Sequence, residues 1–132
     1  MTKNTLFKII IFDFDGTIGD TNTCIIRTFN RTLEAMGLPM VDEVSISNLI
    51  GLPLRQMYEE ILHTDDRGII DRAFNIYRSL FMGISTTTVT LFPHVAETLH
   101  TIHNKGIMMA IATSRGRDSL RALLHTHGID NY

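Results

Sequence analysis

At 132 residues the chain is long enough for one compact domain, or for one domain with a small insertion. Hydrophobic residues at 44% and charged residues at 20% exclude a disordered composition, and twelve basic against fourteen acidic residues, in no long run of either sign, exclude a nucleic-acid-binding stripe. The single cysteine, Cys24, excludes an internal disulfide framework; the N-terminal apolar run is too short for a membrane span and lacks a cleavage site, so a cytoplasmic protein with no membrane or nucleic-acid partner is expected.

The first element is Ile9 to Phe12, an apolar run that reads as a strand buried on both faces, as in a parallel sheet. It ends in Asp13 and Asp15, where open α/β sheets place their chemistry. Asp20 or Thr21 then caps a helix whose apolar positions Ile25, Ile26, Phe29, Leu33 and Met36 recur at helical spacing, and Gly37 and Pro39 stop it. Short helical pieces are expected around Val44 to Ile50 and Leu54 to Leu62, separated by Gly51-Leu52-Pro53. Asp65 and Asp66 open the strongest helix, with the stripe Ile69, Ile70, Ala73, Phe74, Tyr77, Leu80 and Phe81, and Gly83 is expected to end it. The threonine-rich Ser85 to Thr90 reads as a connector.

From Leu91 the pattern changes. Pro93 precedes a helix with Val95, Leu99 and Ile102 on one face, closed by Lys105-Gly106. Ile107 to Ala112 is a second wholly apolar strand that ends at Thr113-Ser114, and a helix from Arg117 buries Leu120, Leu123 and Leu124 before Gly128. The order predicts an α/β fold, a partial Rossmann-like parallel-sheet core interrupted by an all-helical insert. Residues 1–20 and 91–132 would form the core, and 21–90 the insert.

Phosphoryl transfer through a covalent intermediate needs a carboxylate nucleophile and a separate group that exchanges protons with leaving group and water. Asp13 and Asp15 can divide those roles if the chain turns after Asp13, and Gly16 permits the turn. Backbone N–H groups of that turn would cradle phosphate oxygens. Facing a phosphate dianion, the carboxylates need positive charge, which usually means Mg²⁺.

Asp13-Phe14-Asp15-Gly16-Thr17 followed by Asp20-Thr21 resembles the first motif of the haloacid dehalogenase superfamily in its phosphatase form. Thr113-Ser114 at a strand end is similar to the second motif, whose hydroxyl binds the transferring phosphoryl group. The insert resembles the family's small helical cap, and Gly51-Leu52-Pro53-Leu54-Arg55 a cap loop of phosphoglycolate-phosphatase-like members. Leu91-Phe92-Pro93-His94-Val95 resembles the re-entry into the core, with glycine commoner where His94 stands. The resemblance implies an Mg²⁺-dependent phosphomonoester hydrolase acting through an aspartyl-phosphate on a small phosphorylated metabolite. Asp13 would be nucleophile and metal ligand, and Asp15 the general acid/base, lending its carbonyl to the metal. Thr113, Ser114 and Gly16 would hold phosphate, and Arg55 the non-reacting end of the substrate.

The family's third-motif lysine and fourth-motif acidic pair lie beyond the second motif, and the lysines here, Lys3, Lys8 and Lys105, sit on no suitable strand end. The chain is therefore expected to be the N-terminal portion of a longer hydrolase, inactive alone, self-associating or pairing with a C-terminal half. A sugar phosphomutase of the same superfamily and an inactive binding or assembly fragment are the alternatives. An EF-hand is excluded, because counting from Asp13 puts Ile18 at the loop glycine and Cys24 at the terminal glutamate. His100 with His103, and His125 with His127, could each offer a metal two ligands but bring no third, and a solvated face is expected for them, with His127 at the edge of an apolar stripe; for Arg115 an ordinary surface position is expected, with steering of an anion as the alternative.

Overall fold

The computed structural model describes residues 6–132. Strand β1 (Ile9–Phe12) runs parallel to β4 (Met108–Ile111), with Phe12 opposite Ile111. The Ala112 N–H continues the ladder to the Phe12 carbonyl at 2.9 Å. Asp13 and Thr113 therefore leave the sheet side by side at the same end. Helices α5 (Val95–Asn104) and α6 (Arg117–Thr126) flank β4 in the chain and send Leu99 and Leu123 into the core, against which Phe12, Met109 and Ile111 pack.

The other face of this sheet differs from the expectation of burial on both sides. Ile9, Ile11 and Met108 are 47, 62 and 67% exposed, because among the described residues helices cover one face only. Alternation of burial along each strand follows directly from the two-residue period of the side chains.

Between the strands lies an all-helical segment with a narrow neck. Strand β2 (Gly19–Asp20) pairs antiparallel with β3 (Thr90–Leu91), and the Phe92 N–H reaches the Ile18 carbonyl at 3.2 Å, so the segment's entry and exit lie side by side. Helix α1 (Asn22–Ala35) buries Ile25, Phe29 and Leu33, and stops where Gly37 takes φ +71°. Helices α2 (Glu43–Ser47) and α3 (Leu54–Leu62) follow. In α2 the Asp42 carboxylate caps the Ser45 N–H at 2.8 Å.

Helix α4 (Arg67–Thr88) starts on Asp66, whose carboxylate accepts from the Gly68 N–H at 2.9 Å and the Ile69 N–H at 3.3 Å. Its stripe Ile70, Ala73, Tyr77 and Phe81 is buried, and aromatic rings join the helices. Phe29 of α1 stacks on Tyr58 of α3 at 4.1 Å, Tyr58 meets Tyr77 edge-on at 6.4 Å, and Tyr77 stacks on Phe81 at 5.5 Å.

Gly83 does not end α4, and Ser85 to Thr88 is helix, not connector. One glycine costs only about 1 kcal/mol in a helix, less than the burial of Ser85 and Val89 against the core returns. The hydroxyls that usually compete with helical backbone are instead turned back onto it. Thr87 and Thr88 donate to the Ile84 carbonyl at 3.1 and 2.6 Å, and Thr86 to Gly83 at 3.3 Å.

Candidate active site

After β1 the chain makes a tight turn that separates its two carboxylates. Phe14 drives inward and is wholly buried, while Asp13 stays exposed with Oδ1 accepting the Phe14 N–H at 2.8 Å. The Thr17, Ile18 and Gly19 N–H groups all converge on the Phe14 carbonyl at 3.0–3.1 Å, and Gly16, at φ +78°, gives its own N–H to the Gly19 carbonyl at 2.9 Å. The N–H groups of residues 16–19 are committed inside the turn, so Gly16 supplies its shape and not an open donor.

Asp15 lies under this turn with its side chain 13% exposed. Its Oδ1 accepts the Thr21 hydroxyl at 2.6 Å. Thr21 is the N-cap residue of α1, yet its side chain makes no cap bond. Arg115 donates from Nε to both Asp15 oxygens at 3.2 Å and from Nη2 to Oδ1. The expected surface role for Arg115 is wrong, since its side chain is 7% exposed. Its guanidinium lies 4.5 Å from the Phe81 ring centre on α4, and its Nη1 donates to Ser119 Oγ at 2.9 Å. Only the loop between Thr113 and α6, folded back by the Arg115 N–H donating to Thr113 Oγ at 3.1 Å, puts it there.

Above Asp15 opens a cavity of about 810 Å³ between the helical segment and the start of α6. Asp15, Ser114 and Arg55 line it, whereas Asp13, Thr113 and Gly16 do not. Arg55 stacks over Phe74 at 4.1 Å and pairs with Asp71, its side chain 47% exposed. Arg78 approaches the same ring at 5.7 Å.

Two oxygen donors suit a hard divalent cation: the Asp13 carboxylate, which has one oxygen without a hydrogen-bond partner among the described residues, and the Asp15 carbonyl beside it. This set fits Mg²⁺, which characteristically keeps several waters. Two of the candidate histidines are engaged elsewhere: His100 faces the Tyr132 hydroxyl at 3.2 Å and His125 pairs with Asp130 at 2.8 Å, which holds the Asp130 carboxyl below its usual range. Among the described residues no three His, Cys, Asp or Glu side chains cluster to hold a metal. Burial pushes the Cys24 thiol above its usual range, partly offset by the Thr88 and Thr28 hydroxyls.

The sequence profile of the haloacid dehalogenase-like hydrolases matches residues 10–132. The chain belongs to that family. The probable phosphatase IndB of Dickeya dadantii is 33% identical over 94% of this chain, and the phosphoglycolate phosphatase of Agrobacterium fabrum is 29% identical over all of it. A predicted phosphatase from Clostridium acetobutylicum, 21% identical over 97% of the chain, shares the fold with a TM-score of 0.86. This haloacid dehalogenase-like chain spans 55% and 58% of the two curated relatives and 59% of that structure. Among its described residues no helix is long and apolar enough to cross a membrane.

Proposed function

We propose that the chain carries the nucleophile and proton-transfer half of a phosphomonoester hydrolase. Residues 1–20 and 91–132 serve as the core, and 21–90 as a cap over the site. What supports the reading is the register of β1 and β4, which brings the chain out at Asp13 and at Thr113 side by side, with Asp15 two residues on at the wall of a cavity. The names of two relatives, one a probable phosphatase and one a phosphoglycolate phosphatase, support the same substrate class.

In this mechanism an oxygen of Asp13 attacks phosphorus and the ester oxygen departs with a proton from Asp15. Water then attacks the aspartyl-phosphate, Asp15 takes the water proton, and phosphate and the Asp13 carboxylate are regenerated. Thr113 holds a phosphoryl oxygen with the hydroxyl proton that its bond to Arg115 N–H leaves available. Mg²⁺, held by the Asp13 carboxylate and the Asp15 carbonyl, would supply charge neutralisation at the phosphoryl oxygens. Arg55 contacts the far end of the substrate once released from Asp71.

Among the described residues, Lys8 precedes β1, at its far end from Asp13, and Lys105 caps α5, so neither reaches the phosphoryl position, and Lys3 lies outside them. The chain alone is proposed to be inactive for want of that lysine and a further carboxylate, and to work in the cytoplasm when both are supplied by additional polypeptide. The test is phosphate release from a panel of small phosphate esters by the catalytically complete protein with Mg²⁺. Asp13→Asn should abolish turnover, and Asp15→Asn should slow it by roughly 10²–10⁴-fold with binding retained. Near wild-type turnover by Asp13→Asn would end the covalent mechanism.

A further inference from the structure

Arg115 is not itself one of the motif residues, yet it is the most enclosed cation at the site. It bridges three parts of the molecule: Asp15 on the turn after β1, Ser119 in α6 and the Phe81 ring on α4. A guanidinium has five N–H groups. Nε, one N–H of Nη1 and one of Nη2 are engaged by Asp15 and Ser119, which leaves two without a partner among the described residues. The cavity wall is biased the same way, with Arg55, Arg78, Arg115 and Arg117 set against Asp15 and Asp118.

We infer that Arg115 is an exchangeable anion clamp, its guanidinium held on the Asp15 carboxylate in this structure and transferred to a phosphate dianion that enters the cavity. The inference rests on the phosphatase reading and adds a step to it. Thr21 and two nitrogens of Arg115 crowd Asp15 Oδ1, and Nε also reaches Oδ2 at 3.2 Å, so the carboxylate is turned towards Arg115 and not towards a leaving group or water. When Arg115 moves to the incoming anion, Asp15 keeps the Thr21 bond and is released to exchange protons with them. Ser119 and the Phe81 face hold the guanidinium near the cavity during the exchange, so the movement needed is a rotation of the fork and not a refolding of the loop. Asp15 thus acts as an internal competitor of the ligand. Removing its charge should strengthen anion binding, which a purely structural ion pair would not do.

The experiment titrates inorganic phosphate into the purified 132-residue chain by calorimetry, with divalent metal chelated and ionic strength held with sodium chloride. Asp15→Asn should bind phosphate at least about tenfold more tightly than wild type, and Arg115→Gln about tenfold more weakly, the scale of one charge-assisted hydrogen bond. The double variant should behave as Arg115→Gln. Arg115→Lys keeps the charge without the fork and should fall between. The near-isosteric Asp15→Asn decides the matter even if Arg115→Gln fails to fold. Equal or weaker binding by Asp15→Asn overturns the clamp, and so does absence of phosphate binding in every form. If Thr113→Ala weakens binding while Asp15→Asn and Arg115→Gln do not alter it, the clamp is wrong and the phosphatase reading stands. That reading falls instead on the Asp13 assay.

Discussion

Thr21 occupies the N-cap of α1, where its carbonyl accepts the Ile25 N–H at 2.9 Å, but its hydroxyl donates to Asp15 Oδ1 at 2.6 Å and not to the helix. The start of the helical segment is thereby tied to the carboxylate of the turn, across a buried contact. A hydroxyl donating to a carboxylate is worth more than an ordinary cap bond, so the helix end forgoes one partner to orient Asp15. Thr21→Val keeps the shape and removes the donor, and should lower stability by about 1.5–3 kcal/mol. Thr21→Ser should retain most of it. Urea unfolding of the three forms checks this, and equal midpoints for Val and Ser would mean that the bond carries nothing.

Gly19 and Phe14 form a second close relationship. A Cβ on Gly19 would stand 2.9 and 3.0 Å from two carbons of the Phe14 ring, which is fully buried and has no room to retreat. Gly19→Ala should therefore cost about 1–3 kcal/mol, the usual range for forcing atoms into a packed core. Phe14→Leu should relieve part of that cost, so the pair of substitutions should be less damaging than the sum of the singles. Additive unfolding free energies would show that the strain lies elsewhere.

The parts of this fold that follow local rules were readable in the chain. Apolar strands ending in Asp13 and Thr113, the stripes of α1 and α4, and the Asp66 cap all depend on residues close in sequence. The misread parts depend on distant partners. Gly83 reads as a stop because its cost is local, whereas the burial of Ser85 and Val89 that carries α4 onward is tertiary. Arg115 reads as a surface cation because its partner Asp15 lies 100 residues away. Its one local signal was position: a cation two residues past a hydroxyl at a strand end is on the loop that faces the neighbouring strand's carboxylates.

The exposed sheet face leads to a prediction about the chain's state in solution. Ile9, Ile11 and Met108 share that face, and Leu6 and Phe7 just before β1 are 90 and 69% exposed. Apolar surface of this continuity on a two-stranded sheet is a pairing and aggregation hazard. The 132-residue chain should associate with itself, and Ile11→Lys combined with Met108→Lys should shift it towards monomer without loss of helix content. Sedimentation over a range of concentrations, with circular dichroism as the control, is the check. A wild-type chain that stays monomeric at high concentration would remove the face as an association surface.

His94 offers the last prediction, because the structure supplies the reason for an oddity of the sequence. It adopts φ +65° and ψ 3°, a left-handed conformation, at the N-cap of α5. A side chain there crowds its own backbone and costs about 1–2 kcal/mol, which glycine avoids. The helix start itself rests on the His94 carbonyl, which accepts the Thr98 N–H at 3.0 Å and the Thr98 hydroxyl at 2.8 Å, and neither bond needs the imidazole. The ring's one ionic contact, to Glu97 at 3.4 Å, is between side chains more than three-quarters exposed, and such pairs contribute little. Glycine adds backbone freedom to the unfolded chain, which offsets part of the gain. His94→Gly should therefore raise stability by about 0.5–1 kcal/mol, while His94→Ala, which keeps a Cβ in the same conformation, should not. Chemical denaturation of both variants beside wild type decides it: a Gly variant no more stable than the Ala variant would mean that the left-handed residue is not strained.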